Sequence, residues 1–285
     1  MNQPGSGAVL ITGCSTGIGH ATAARLARGG RTVYATARRP QTLSSLAAQG
    51  CRTLALDVTD EASMSAAVAT VEEEAGGIEA LVNNAGYSQG GPLEEVPLEE
   101  VRRQFETNVF GLLRMCQLVL PGMRGRRRGR IVNVGSMGGR LTFPGGGPYH
   151  ATKYAVEALS DALRFEVAGF GIQVVLLEPG LIRTNFGVTA VGSIDAVPSG
   201  GGPYADFATA VAATTAHAYS GPTGRVLGAG PEAVARVIER AITASRPRPR
   251  YVVTPGARVM IGLRAVLPDR AFDAVLARQF PRPGR

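Results

Sequence analysis

The chain has no tryptophan, three cysteines, three histidines and, among thirty basic residues, a single lysine, Lys153. Cys14, Cys51 and Cys116 are odd in number and show no C-x-x-C spacing, which argues against a disulfide framework or a thiolate metal site and fits a reducing cytoplasm. His20, His150 and His217 lie too far apart for ligand-type spacing, so no metal chemistry is expected. No apolar run approaches the roughly 20 residues that span a bilayer. The N-terminus carries no charged-then-apolar leader pattern, and a soluble, unexported protein is expected. Nothing in the composition marks a second unit, so one domain over 1–285 is the simplest organisation.

A formal charge of +8 raises nucleic acid as a partner, above all at Arg124-Gly125-Arg126-Arg127-Arg128-Gly129-Arg130. No aromatic residue is interleaved there for base stacking. The run lies between a helical pattern and the strand pattern from Arg130, so a solvated loop is expected and nucleic acid is not.

What the chain does contain is pointed. Lys153 follows Tyr149 by four residues, a spacing that places both side chains on one helix face. Arginine serves wherever surface charge suffices, whereas a compact ammonium has a different shape and reach. Free tyrosine titrates at about 10, and adjacent positive charge favours its phenolate. Such a phenol can exchange a proton with a carbonyl or alcohol oxygen, provided a hydride carrier is at hand.

The carrier's signature lies near the N-terminus. The apolar run Ala8 to Thr12 is followed by Gly13-Cys14-Ser15-Thr16-Gly17-Ile18-Gly19 and then by the helix formers Ala21 to Ala27. Strand, tight turn and helix in that order let backbone approach a pyrophosphate at a helix N-terminus. Further strands are expected near 31–36, 52–56, 79–83, 130–135, 172–178 and 251–253, with helices between them. Alternating strands and helices of this length give an α/β, Rossmann-type, doubly wound parallel seven-stranded sheet with helices on both faces, in the order 3-2-1-4-5-6-7.

Thr12-Gly13 through Gly19, Asn83-Asn84-Ala85-Gly86, Asn108, Ser136, the Tyr149/Lys153 pair and Pro179-Gly180 resemble, in order and separation, the motifs of short-chain dehydrogenases/reductases over about the first 185 residues. Val9 to Gly19 together with Val33-Tyr34-Ala35-Thr36 is most similar to the hydroxysteroid and retinol dehydrogenase branch. The resemblance implies a catalytic set of Asn108, Ser136, Tyr149 and Lys153, with Lys153 lowering the phenol's pKa, Ser136 stabilising the substrate oxygen and Asn108 holding a water for proton relay. It implies cofactor contacts from Gly13, Ser15, Thr16, Gly17, Ile18, Gly19, Asp57, Val58, Asn84, Ala85, Gly86, Tyr149, Lys153, Pro179, Gly180, Ile182 and Thr184. A plain turn or cap for Ser136, a kinking polar residue for Asn108 and a helix cap for Asp57 are the alternatives. Tyr154 has no lysine four residues on and is a decoy phenol.

After the second strand the chain reads Ala37-Arg38-Arg39-Pro40, with no acid to hold ribose hydroxyls. Arg38 can grip a 2′-phosphate, so NADP(H) is favoured over NAD(H); the other reading leaves it beside the adenine or in solvent. Val156, Leu159, Leu163 and Val167 form an apolar stripe directed at the sheet or a neighbouring subunit. The family's habit implies a homodimer or homotetramer through that helix. Residues 187–230 are expected to form a mobile lid with a helix near Tyr204 to Tyr219. The extension 248–285 has two amphipathic patterns, Val259 to Leu267 and Arg270 to Phe280. It either packs on the body or over the substrate entrance, or lies on an anionic membrane.

The expected activity is NADP(H)-dependent interconversion of a ketone or aldehyde and an alcohol on a medium or large apolar substrate, with Phe143, Phe186 and Phe207 as candidate pocket walls. The alternatives are a redox-neutral isomerase or dehydratase of the same fold and a non-catalytic NADP(H)-sensing protein.

Overall fold

A computed structural model describes residues 7–195 and 202–283. Strands β1 Ala8–Ile11, β2 Val33–Ala37, β3 Arg52–Ala55, β4 Ile78–Asn83, β5 Gly129–Val134, β6 Ile172–Glu178 and β7 Arg250–Val252 form one parallel sheet in the order β3-β2-β1-β4-β5-β6-β7. This is the expected order. The reversal between β1 and β4 opens a crevice above their carboxyl ends, where such sheets bind ligands.

The helices are α1 Gly17–Arg28, α2 Ser44–Ala47, α3 Glu61–Ala75, α4 Leu98–Phe105, α5 Gly111–Gly125, α6 Gly147–Val167, α7 Asn185–Asp195, α8 Ala205–Ser220, α9 Pro222–Val226, α10 Pro231–Thr243, α11 Pro255–Val266 and α12 Asp269–Leu276. Period-two alternation divides the strands between two cores. Val9, Ile11, Val82, Val132, Val175 and Leu177 meet α1 and α10. Leu10, Leu81, Ile131, Val174 and Leu176 meet α3, α5 and α6. Each fully buried aliphatic side chain contributes about 1.5–3 kcal/mol.

Along α6, Val156 and Val167 are buried in the second core and Leu163 is half-buried against it, so the apolar stripe serves the chain's own sheet. The same helix leaves Phe165 88% and Tyr154 44% exposed, and Phe110 on the adjoining α4–α5 segment is 51% exposed.

The arginine run differs from a solvated loop. Arg126 binds Glu72 and the Ile78 carbonyl, Arg127 donates to the Gly169 carbonyl, and Arg130 donates to the carbonyls of Ile242 and Ala244. Its guanidiniums tie α5 and β5 to their neighbours. Planar forks with five donors suit this task.

The segment 187–230 is largely helical among the described residues. α8 falls where a helix was expected, and part of the connection before it, 196–201, lies outside the described residues. The two patterns of the extension are α11 and α12. Phe272 and Phe280 are buried, and Phe280 joins a satellite cluster with Ile194, Phe207, Ala208 and Val211, so the extension packs over the helices that follow β6. No helix of the described residues is long and apolar enough to cross a membrane.

Candidate active site

The glycine turn links β1 to α1. Gly13 and Gly17 have φ of +71° and +62°, conformations that favour glycine. A Cβ on Gly19 would lie 2.6 Å from Asn84 Nδ2. Thr16 caps α1 without a side-chain hydrogen bond, and no acid occupies the helix's first turn. Free N–H groups, positive dipole and a cradle that no side chain fills suit a pyrophosphate.

The wall facing this turn is locked by hydrogen bonds. Asn84 Nδ2 donates to the Thr12 and Gly13 carbonyls at 3.0 and 2.9 Å, and the Thr12 hydroxyl accepts from the backbone N–H groups of Asn84 and Ala85, each at 3.0 Å. Gly86 follows, where a Cβ would stand 3.0 Å from Asn108 Oδ1. On the far side, Gly17 faces Thr184, which follows Pro179, Gly180 and the buried Ile182. Ser15, Thr16 and Ile18 belong to the turn itself. The segments expected to hold a cofactor therefore face one crevice, though they are separated along the chain.

Arg38 stands exposed just past β2 and has no ion pair among the described residues. Asp57, after β3, accepts from the Thr59 N–H and hydroxyl at 3.0 and 2.8 Å, with Val58 buried beside it. Asp57 is not the cap of the next helix. Asp60 is, accepting from the Ala62 and Ser63 N–H groups.

Ser136 ends the loop after β5 and also caps a short 3-10 turn, its Oγ accepting from the Gly138 N–H at 3.0 Å. The cap reading holds for this residue, whose hydroxyl also lies beside the Tyr149 phenol. Tyr149 lies in the first turn of α6, its ring 5.6 Å from Phe186 and 5.7 Å from His150. Burial pushes its phenol up to about 12, while the Ser136 hydroxyl beside it pulls downward. Lys153 is buried, its Nζ 5.7 Å from the Tyr149 ring centre and donating to the Val134 carbonyl at 2.9 Å. Burial lowers its ammonium to about 8.

Here the structure departs from a phenol depressed by its lysine. The ammonium is aimed at a carbonyl and faces the ring, and desolvation of the phenolate prevails. Asn108 occupies a π-helical turn, Glu106–Phe110, inserted between α4 and α5. Its Nδ2 donates to the Tyr87 carbonyl and Thr152 Oγ1 at 2.9 and 3.1 Å, and its Oδ1 accepts from the Tyr87 N–H at 3.1 Å. The amide is thus committed to Tyr87 and α6.

A family model described as short chain dehydrogenase matches residues 7–191. The chain belongs to the short-chain dehydrogenase family. It is an NAD(P)-dependent oxidoreductase by that membership. The NADPH-dependent 3-dehydrocapnine reductase of Ornithobacterium rhinotracheale is 32% identical over 288 residues, spanning 96% of this chain and 97% of that protein. The 3-ketodihydrosphingosine reductase of Bacteroides thetaiotaomicron is 44% identical over 179 residues, 62% of this chain and 65% of that protein. A short-chain dehydrogenase from Streptomyces avermitilis has a similar structure, with a TM-score of 0.78 and 33% identity over 97% of this chain and 96% of that one.

Several residues of this dehydrogenase's site escape a reading by motif. His150 is buried; its Nε2 accepts from the Phe143 N–H at 3.1 Å, so Nδ1 carries the proton and donates to the Gly138 carbonyl at 2.9 Å. Burial lowers its pKa, and the neutral ring staples the loop after Ser136 to α6. Thr152 accepts from Asn108 while donating to the Tyr149 carbonyl at 2.7 Å. Asn83, Asn133 and Ser160 form a buried ladder behind the site, at 3.0 and 2.9 Å. Tyr219 of α8 packs on Gly187 beside the Phe186–Tyr149 pair. Of the predicted aromatic walls, Phe186 meets the phenol, while Phe143 and Phe207 belong to the satellite cluster. Tyr154 lies on the exposed side of α6.

Proposed function

We propose that this protein is an NADPH-dependent reductase of a ketone carried on a long or bulky apolar substrate. The observation that carries the reading is the enclosure of Tyr149 beside Ser136, with the Lys153 ammonium facing its ring. Gly13, Ser15, Thr16, Gly17, Ile18 and Gly19 would hold the pyrophosphate, Asp57 and Val58 the adenine side, and Asn84 to Gly86 with Pro179 to Thr184 the nicotinamide side. When bound, NADPH supplies the hydride. Ser136 donates a hydrogen bond to the substrate oxygen as negative charge develops there. Tyr149 transfers its phenolic proton to that oxygen, which completes the alcohol. Lys153 stabilises the phenolate left behind, and Asn108 keeps α6 in register through Thr152.

A phenol held near 12 is fully protonated at neutral pH, the form needed to reduce a carbonyl. Arg38, exposed and without an ion pair among the described residues, supports NADPH through a charge-assisted fork on the 2′-phosphate. The name of the Ornithobacterium relative agrees with that choice. Both named reductases also support a ketone beside a long aliphatic chain. Phe186 and the apolar cluster beneath α12 suit such a chain. Phe165, Tyr154 and Phe110 support burial against a second copy, and a charged Phe165→Glu variant would reduce the molecular mass seen in sedimentation.

Because the chain has no tryptophan, reduced-nicotinamide emission reports binding directly. Tight NADPH binding, followed by NADPH oxidation on adding a long-chain 3-ketone, is the expected result. A Tyr149→Phe protein that binds NADPH and still turns over at the wild-type rate would refute the mechanism.

A further inference from the structure

One turn along α6 from Lys153 lies a cluster of charge that no step of the proposed reaction uses. Glu157 is one turn beyond Lys153, and Glu178 is the last residue of β6, immediately before Pro179. Both are buried, at 7% and 1% exposed. A single Nε of Arg250, on β7, lies 3.1 Å from Glu157 Oε2 and 3.4 Å from Glu178 Oε1. Arg140, from the loop after Ser136, reaches Glu178 Oε1 at 3.2 Å. Asp161, the next turn of α6, pairs with Arg250 and Arg164. The other Glu157 oxygen, Oε1, is buried without a hydrogen-bond partner.

Two carboxyls around one guanidinium in a dry setting leave a choice. Both ionise and repel, or one retains a proton and donates it to the other, as in paired acids elsewhere. The orphaned Oε1 decides between them, because a buried acceptor without a donor is costly whereas a protonated carboxyl has an O–H to give. We propose that Glu157 and Glu178 share one proton, and that Glu157 is a positioning residue holding the Lys153 turn of α6 against the end of β6. The inference rests on the reading of Tyr149 and Lys153 as the reacting pair. Glu157 packs under that pair: a Cβ on Gly139 would meet the Lys153 carbonyl at 2.8 Å and Glu157 Cγ at 2.9 Å. Loss of the shared proton sets two buried anions against each other at the point where α6, β6 and the Ser136 loop join.

Burial, with Glu178 beside it, pushes the Glu157 carboxyl up to about 7. The sign follows. A carboxyl whose folded pKa is raised favours the folded state fully at acid pH, and that contribution fades as pH rises through about 7. The charged groups around it are Asp161 and Lys153 on α6, Arg164 through Asp161, Glu178 on β6, Arg250 on β7 and Arg140 in the loop. Wild-type kcat/KM with NADPH and a long-chain ketone should fall about fourfold from pH 5.5 to 7.5 if only the protonated pair is competent. Glu157→Gln, which keeps a neutral group of the same shape, should hold within about twofold over that range. Glu178→Gln removes the rival charge and should move the wild-type step to more acidic pH. Melting temperatures should show the matching pattern, declining from pH 5.5 to 7.5 in wild type and flat in Glu157→Gln.

A wild-type step retained in Glu157→Gln would overturn the inference, as would an unmoved step in Glu178→Gln. Loss of the melting-temperature decline without any change in the kinetic profile would make Glu157 a stabilising residue only, and would also overturn it. Either result leaves the Tyr149→Phe test of the reaction intact, so the two failures are distinguishable.

Discussion

The two walls of the crevice are built on different principles. The wall formed by β1, β4 and the glycine turn is fixed by backbone: Asn84 spans two carbonyls, Thr12 receives two N–H groups, and Gly19 has no room for a methyl. The opposite wall, α7, α8, α9, α11 and α12, is held mainly by apolar contact. It also leaves Val188, Val226, Val259 and Val266 from 63% to 75% exposed. Directional bonds suit a partner whose shape never varies, whereas apolar helices accept changes of side chain with little loss of fold. In the proposed reading, one wall holds a constant cofactor and the other meets a variable substrate.

Four experiments test that contrast. The largest effect belongs to Tyr149→Phe, expected to lower kcat by about 10²–10⁴-fold while NADPH fluorescence titrations stay as in wild type. Next, Arg38→Asp should weaken NADPH binding roughly tenfold to a hundredfold, as expected for losing hydrogen bonds to a charged group, and leave NADH binding nearly unchanged. Equal losses for both cofactors would place Arg38 outside phosphate recognition. Third comes pH in the alkaline range. Lys153 is lowered from 10.5 to about 8, so its ammonium disappears as pH rises through that value. In Glu157→Gln, where that carboxyl no longer titrates, a kcat/KM that declines about tenfold between pH 7 and 9 is the expected profile, and adding Lys153→Arg should abolish that alkaline limb. The smallest effect is on the apolar wall. Phe280→Ala should raise KM for a long-chain ketone by on the order of 1 kcal/mol and leave NADPH binding alone.

What could be read without coordinates divides along the same line. The inner strands of the sheet were legible because each is a short, largely apolar run, and the glycine turn because strand, glycines and helix are contiguous. Tyr149 and Lys153 were legible because helix geometry converts a four-residue spacing into a shared face. The electrostatics were not, since the direction of the Lys153 ammonium depends on the Val134 carbonyl, nineteen residues away. Arg250 and Glu157 are 93 residues apart and Asn83 and Asn133 are 50 apart, distances over which no local pattern survives. His150 gave no signal beyond its lack of ligand spacing, because its partners are backbone groups of a loop without periodicity. The helices following β6 lack motif residues, and their side chains contact one another mainly through apolar surface.

One close contact bears on how the protein can be re-engineered. Gly180 lies so near the buried Thr254 that an added Cβ would collide with its hydroxyl and come within 3.0 Å of Ala257 Cβ. Thr254 in turn caps α11 through the Ala257 N–H at 3.2 Å. The first turn of α11 is therefore part of the foundation of the loop that follows β6. A chimera that borrows a relative's C-terminal helices to change substrate range has its natural splice point after Ala257, where the donor segment inherits the seat and replaces only the cover.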